Sequence, residues 1–309
     1  MNDKQTTVIV DVLGHNEPVA VDPQQPIIYG DDLAAVRGDG VFETFMLRGG
    51  VVRNQQRHAQ RFQRSATMLD LPEPDLARWQ EATALAVREY RQLVAAGSDG
   101  DGGSAGDCGG DGEAALRWVY SRGRESTGQP TGWVTVAPVG DEVLRARKDG
   151  VAVMTAERGF KIDLSQRSPW ALIGAKTLSY AANMAALRSA KKSGFDDVIF
   201  VSEEGLVLEG PTSTVVVLQG NTLVTPPASV GILAGTSQAA LFSLAREKGW
   251  ETQEKVLELQ DLMSADGVWL LSSVRVAARV TSIDWTQIPR PECAEEIEAM
   301  AWEAVTGQG

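Results

Sequence analysis

Short apolar stretches of strand length lie between amphipathic helical stretches along this chain, in no regular alternation. Each apolar face must be buried against another element, and mixed elements without βαβ repetition build an α+β fold. Residues 8–13 and 41–47 have strand composition, and Gly49-Gly50 reads as a hairpin turn from the second strand into Val51-Val52. From Arg57 to Leu69 the period is helical, with His58, Phe62, Ser65 and Leu69 on one face and Arg57, Arg61 and Arg64 on another. Asp75 is placed to cap a second helix that reaches Ala96.

Residues 97–112 are Gly, Asp, Ser and Ala with one Cys, too little apolar surface to offset ordering entropy, so a disordered surface loop is expected. The string Gly102-Gly103-Ser104-Ala105-Gly106 matches the nucleophile-elbow spacing, but no strand precedes it and no helix follows it, so it is set aside. Strands resume at 116–120 and 132–138, and 142–149 reads as a connection between two domains, 1–145 and 146–309. The second half reads as a strand at 151–156, then a helix from Thr177 to Lys192 stopped by Gly194. Strands at 198–202, 206–209 and 215–218 follow, and Gly220-Asn221 turns into another at 222–225. A helix from Ser237 to before Gly249, strands at 268–272 and 274–283, and a helix at 292–305 complete the order.

Composition narrows the chemistry. A net charge of -12 argues against nucleic acid or an anionic membrane as a main partner, while a local arginine cluster can still hold a small anion. No apolar run approaches bilayer length and the first residues lack a signal-peptide pattern, so a cytoplasmic location is expected. Two cysteines, Cys108 and Cys293, and two histidines, His15 and His58, make neither a disulfide framework nor a metal cluster. Difficult chemistry in such a chain needs an organic cofactor, or the chain does no chemistry.

Four features have chemical content. Lys176 follows the small residues Gly174 and Ala175, with a helix expected to start behind it. The positive end of a helix dipole disfavours the ammonium, and a neutral amine is what a Schiff base or a general base requires. A surface lysine at a strand-helix junction is the plainer alternative. Gly235-Thr236-Ser237 opens a helix, which makes either an anion site or an ordinary cap. Glu209 ends an apolar strand before Gly210-Pro211, where a carboxylate can hold a pyridine nitrogen protonated, although a loop acid is more common. Arg61 lies in a basic stripe that suits a phosphate or carboxylate, or simply solvent.

Taken in order, these residues resemble the class IV aminotransferase family, which includes branched-chain and D-amino-acid aminotransferases and aminodeoxychorismate lyase. The likeness begins at Gly38-Asp39-Gly40-Val41-Phe42-Glu43-Thr44 and runs through His58-Ala59-Gln60-Arg61-Phe62, Lys176, Glu209 and Leu233-Ala234-Gly235-Thr236-Ser237. It ends at Ser272-Ser273-Val274-Arg275, leaving out only the insert at 97–112. The resemblance implies a two-domain α+β fold, a homodimer and pyridoxal 5'-phosphate as cofactor. It implies Lys176 as the Schiff-base lysine and Glu209 as the partner of the pyridine nitrogen. Arg61, Thr236, Ser237 and Ser273 would hold the phosphate and Leu233 would pack beside the ring. Phe42 and Glu43 would stand near the substrate.

The strand Arg117-Trp118-Val119-Tyr120-Ser121-Arg122-Gly123 lacks the Tyr-Ile-Arg-Pro of branched-chain enzymes, and no Arg-x-His follows as in D-amino-acid enzymes. The resemblance therefore points to the lyase branch, which releases 4-aminobenzoate and pyruvate from 4-amino-4-deoxychorismate. Two carboxylates on that substrate make Arg122, Arg124 and Arg275 candidate substrate contacts. Ser179, Thr214 and Tyr180 depart from the family pattern after the lysine and the glutamate. A class IV aminotransferase for branched-chain amino acids, D-amino acids or amines is the alternative, and an inactive relative that binds a small anion is a third.

Overall fold

The computed structural model describes residues 7–98 and 112–307. The stretch expected to be a surface loop, 97–112, lies almost wholly outside the described residues. The chain forms two compact units: Met1–Gly140 with Lys176–Ser179, and Asp141–Ala175 with Tyr180–Gln308.

The first unit is built on a six-stranded antiparallel sheet in the order β2-β1-β6-β5-β3-β4. Its strands are β1 (Val8–Asp11), β2 (Val19–Val21), β3 (Gly40–Arg48), β4 (Val51–Val52), β5 (Ala114–Ser121) and β6 (Thr131–Pro138). Gly49 and Gly50 both have positive φ (59° and 76°), the conformation a two-residue turn needs for the β3–β4 hairpin. A short helix α1 (Leu33–Arg37) precedes β3. Helices α2 (Gln55–Met68) and α3 (Leu76–Ser98) pack on the sheet, and Asp75 caps α3 by accepting the Ala77 N–H at 3.0 Å. Phe62 from α2 and Trp79 from α3 meet Trp118 of β5 with ring centroids 5.4 and 5.5 Å away, so aromatic side chains lock both helices to the sheet.

The second unit has a mixed eight-stranded sheet, ordered β11-β10-β9-β12-β13-β7-β8 with β14 on β13. The strands are β7 (Val151–Glu157), β8 (Asp197–Val201), β9 (Thr214–Gln219), β10 (Thr222–Thr225), β11 (Glu251–Glu254), β12 (Gly267–Ser272), β13 (Val276–Ile283) and β14 (Thr286–Gln287). Val215, Val216, Val217 and Leu218 are all buried, the run of apolar residues a strand carries when both its faces are covered. Helices α4 (Asp141–Asp149), α5 (Leu164–Arg167), α6 (Ala181–Lys192), α7 (Thr236–Glu247), α8 (Leu259–Met263) and α9 (Ala294–Thr306) complete the unit.

Three expectations need correction. Residues 142–149 are a helix packed on β13, not a bare connection, and its acidic first turn and basic last turn suit the dipole. Residues 206–209 pair only through single bridging residues, Val207 to Val201 and Leu206 to Glu258. The helix expected from Thr177 starts only at Ala181.

Candidate active site

The late start of α6 follows from what the preceding residues do instead. Thr177 pairs with Val41, the Phe42 N–H donates to the Lys176 carbonyl at 3.0 Å, and the Leu178 N–H donates to the Gly40 carbonyl at 2.8 Å. Residues 176–179 thus form an extended arm against the start of β3, and those bonds replace a first helical turn. The dipole argument for Lys176 therefore falls away, since its backbone belongs to a strand-like pairing. Gly40 makes the pairing possible, because a Cβ there would lie 2.5 Å from the Tyr120 carbonyl oxygen and 2.7 Å from Leu178 Cδ1. The Lys176 N–H donates to Ser65 Oγ at 3.1 Å, and its Nζ stands 4.4 Å from the centroid of the Phe42 ring.

Below this arm is a buried ionic group. Glu43 on β3 is fully buried and accepts from Arg61 Nε and Nη2, both at 2.7 Å, and from His58 Nδ1 at 2.7 Å. Burial alone would push the Glu43 carboxyl up, but the Arg61 charge and its two hydrogen bonds, with His58 beside them, hold it far below the usual range. Burial lowers His58, outweighing the pull of Glu43, and Arg61 and Lys176 lower it further. His58 is therefore neutral, with its proton on Nδ1 facing the carboxylate. Arg61 does not lie on a solvent-facing basic stripe: it points inward with His58 and Ser65, while Arg64 stays exposed. Ser65 was not among the residues expected at the site, although its position on the same face as His58 was visible from the spacing.

In the second unit, the Glu209 carbonyl accepts from the Phe200 N–H at 2.9 Å and its carboxylate accepts from the Leu233 N–H at 3.1 Å, so two expected site residues meet directly. Gly235 caps α7, and Thr236 and Ser237 open it, both buried. Ser237 Oγ is buried with no hydrogen-bond partner among the described residues, and so is Ser213 Oγ. Gly235 tolerates no side chain, because a Cβ would meet Thr214 Oγ1 at 2.4 Å. Ser273 lies in the turn from β12 to β13, just before Arg275. That turn ends at Val276 with φ 62°, a strained conformation for a β-branched residue.

The three candidate arginines differ in what they already hold. Arg122 donates to Asp39 at 2.7 Å and to the Leu69 carbonyl at 2.5 Å. Arg124 donates to Asp31 at 3.1 Å and lies over the Tyr29 ring at 3.9 Å. Arg275 donates through Nη1 to Asp197 at 2.6 Å, but its Nε and Nη2 are buried without partners among the described residues. Among the described residues, no group of three or more His, Cys, Asp or Glu is arranged to hold a metal ion. Nor is any helix among them long and apolar enough to cross a membrane.

The sequence model for class IV amino-transferases matches residues 40–283. The chain is 46% identical over 280 residues to a bifunctional aminodeoxychorismate lyase / D-amino acid transaminase of Mycobacterium tuberculosis, covering 88% of this chain and 91% of that protein. Its fold is similar to a hypothetical aminotransferase from Mycobacterium tuberculosis solved in a PLP-bound form, with a TM-score of 0.88 and 43% identity over 97% of this chain and 99% of that one. The same TM-score, identity and coverage hold for the form of that aminotransferase with alpha-ketoglutarate and PMP bound.

Proposed function

This chain belongs to the class IV aminotransferase family, and from that premise we propose that it is a pyridoxal 5'-phosphate enzyme acting as a 4-amino-4-deoxychorismate lyase. The observation that carries the reaction is the likeness to the bifunctional lyase / transaminase, at 46% identity over nearly the whole chain. The residues present fit the cofactor. Ser237 Oγ is a buried hydroxyl without a partner at the N-terminus of a twelve-residue helix, where free N–H groups and the dipole favour a phosphate. Gly235 keeps that turn clear of side chain.

Thr236, Ser237, Ser273 and Arg61 would hold the phosphate, with Leu233 against the ring and Glu209 keeping a proton on the pyridine nitrogen. When bound, the cofactor supplies an electron sink for charge developing at the substrate carbon that bears the amine. Lys176 would hold the cofactor aldehyde, and its amine, when free, would take the proton from C4 of the substrate. Loss of that proton would let the enol of pyruvate leave from the neighbouring carbon, taking the bonding pair with it, and the ring would become aromatic as 4-aminobenzoate. Of the arginines proposed to meet the substrate carboxylates, Arg275 keeps its buried Nε and Nη2 without a partner among the described residues while its Nη1 holds Asp197, and Arg122 and Arg124 already hold Asp39 and Asp31. Phe42 would border the same substrate. The family resemblance also supports a homodimer.

Transamination of D-amino acids is a second reading, supported by the name of the same bifunctional relative. One experiment tests both. Purified protein is mixed with 4-amino-4-deoxychorismate and no amino acceptor, and 4-aminobenzoate and pyruvate are followed. Equimolar release of both is expected; a yellow protein that releases neither, yet moves the amino group of D-alanine to 2-oxoglutarate, would replace the lyase reading with the second.

A further inference from the structure

We infer that Ser65 is a positioning residue for the reactive lysine, setting through one hydrogen bond where the Lys176 amine stands. The inference rests on the proposed role of Lys176. Three anchors hold that residue in the first unit. Its N–H donates to Ser65 Oγ, its carbonyl accepts from the Phe42 N–H, and its Nζ lies over the Phe42 ring. Two of the three come from β3 and only one from a helix.

The helix anchor is a rigid one. Ser65 is 1% exposed, and its helix α2 is fixed to the sheet one turn before it. Phe62 packs into the aromatic cluster at 5.0 Å from Trp79, and Arg61 is tied to Glu43 by two bonds. The spacing 58, 61, 65 keeps His58, Arg61 and Ser65 on one inward face. The hydroxyl therefore transmits the placement of α2 to the backbone from which the long lysine side chain springs. A small shift in that backbone becomes a larger shift at Nζ, and reacting groups tolerate little displacement. The cation–π contact with Phe42 favours the ammonium form whenever the amine is free. Moving Nζ off the ring thus changes both where the proton is carried and how readily it is held.

The experiment compares wild type, Ser65→Ala and Ser65→Thr, each loaded with pyridoxal 5'-phosphate. Two readouts are taken: the split between kcat and KM, and the pH midpoint of the visible absorbance band of the loaded protein. Ser65→Ala is expected to lower kcat about tenfold with KM changed by less than about twofold, and to move the pH midpoint. Ser65→Thr, which keeps the hydroxyl, is expected to restore both. A merely structural role would reduce the amount of active protein without moving the midpoint. A folded Ser65→Ala with the wild-type kcat and midpoint overturns the inference. Should that variant not fold, Ser65→Cys, close in volume and weaker as an acceptor, is read by the same measurements. A wild-type protein with no borohydride-reducible visible band would instead overturn the role of Lys176 itself.

Discussion

The Glu43 group in the first unit and the Gly235–Ser237 turn in the second are both buried and polar, yet they are finished differently. Around Glu43, a carboxylate, a guanidinium and an imidazole meet at 2.7 Å and satisfy one another. At the turn, Ser237 Oγ is left without a partner among the described residues, as is Ser213 Oγ. A buried polar group without a partner costs stability, and native chains keep such groups at places that do work. On the proposed function, the contrast sets a frame around Glu43 and His58, which serves the fold, against a receptor turn that would serve a ligand, with Arg61 tied to the first and proposed to reach the second. The same division runs through the arginines, with Arg122 and Arg124 on their own aspartates and Arg275 only half paired.

If that division holds, substitutions should fall into two classes. Lys176→Ala should lower turnover by roughly a thousandfold or more and abolish the visible band of the loaded protein, with its unfolding curve little changed. Glu43→Ala should act on the frame, costing about 3–5 kcal/mol in urea unfolding, because it leaves buried cationic and polar groups without their acceptor. A Glu43→Ala protein as stable as wild type would break the comparison outright.

The frame should also respond to acid. Both His58 and Glu43 are lowered by the fold from ordinary values of 6.5 and 4.5. Each contributes stability above its unfolded value and loses it as the pH falls toward its folded one. Unfolding free energy should therefore decline on acidification from about pH 6.5, first through His58 and then, below about 4.5, through Glu43. His58→Gln should remove up to one proton from that slope, about 1.4 kcal/mol per pH unit, in urea unfolding series. An unchanged slope would show that His58 is charged in the native protein.

The receptor should be touched without the frame. Ser237→Ala should weaken pyridoxal 5'-phosphate binding about fivefold, on the order of 1 kcal/mol, and leave the stability of the cofactor-free protein unchanged or slightly raised. Arg124→Gln should do least, altering unfolding by less than about 0.5 kcal/mol, since it breaks a half-exposed ion pair. A KM for 4-amino-4-deoxychorismate raised more by Arg124→Gln than by Arg275→Gln would reverse the assignment of the two arginines.

Much of this was legible in the sequence where local chemistry decides. Gly49-Gly50 announces its hairpin, Asp75 announces α3, and the apolar run at Val215–Leu218 announces a strand covered on both faces. The family motifs single out Lys176, Glu209, Leu233 and Ser237 as expected site residues by type and order, and of these the structure joins Glu209 to Leu233. What local chemistry could not supply was the partner at long range. Thr177–Tyr180 carries helix-compatible residues, but bonds to Gly40 and Phe42 draw the arm out straight. Arg61 belongs by composition to a basic stripe, but the buried carboxylate of Glu43, on a different element, turns it inward. Ser65 had no chemical signature of its own, and only the arm lying against it gives it a task.

That arm has a kinetic consequence. The bond from Lys176 to Ser65 closes 111 residues of chain, and the segments on either side of residues 176–179 belong to the other unit. Closure over such a length is entropically slow compared with forming a hairpin or a helix, and it must await the strand that receives it. Lysine placement is thus expected late in folding, and neither unit can be cut out as one continuous piece of chain with its lysine in register. A fragment ending at Gly140 would present the start of β3 without the arm, and one beginning at Asp141 would carry the lysine on a tether with no strand to receive it.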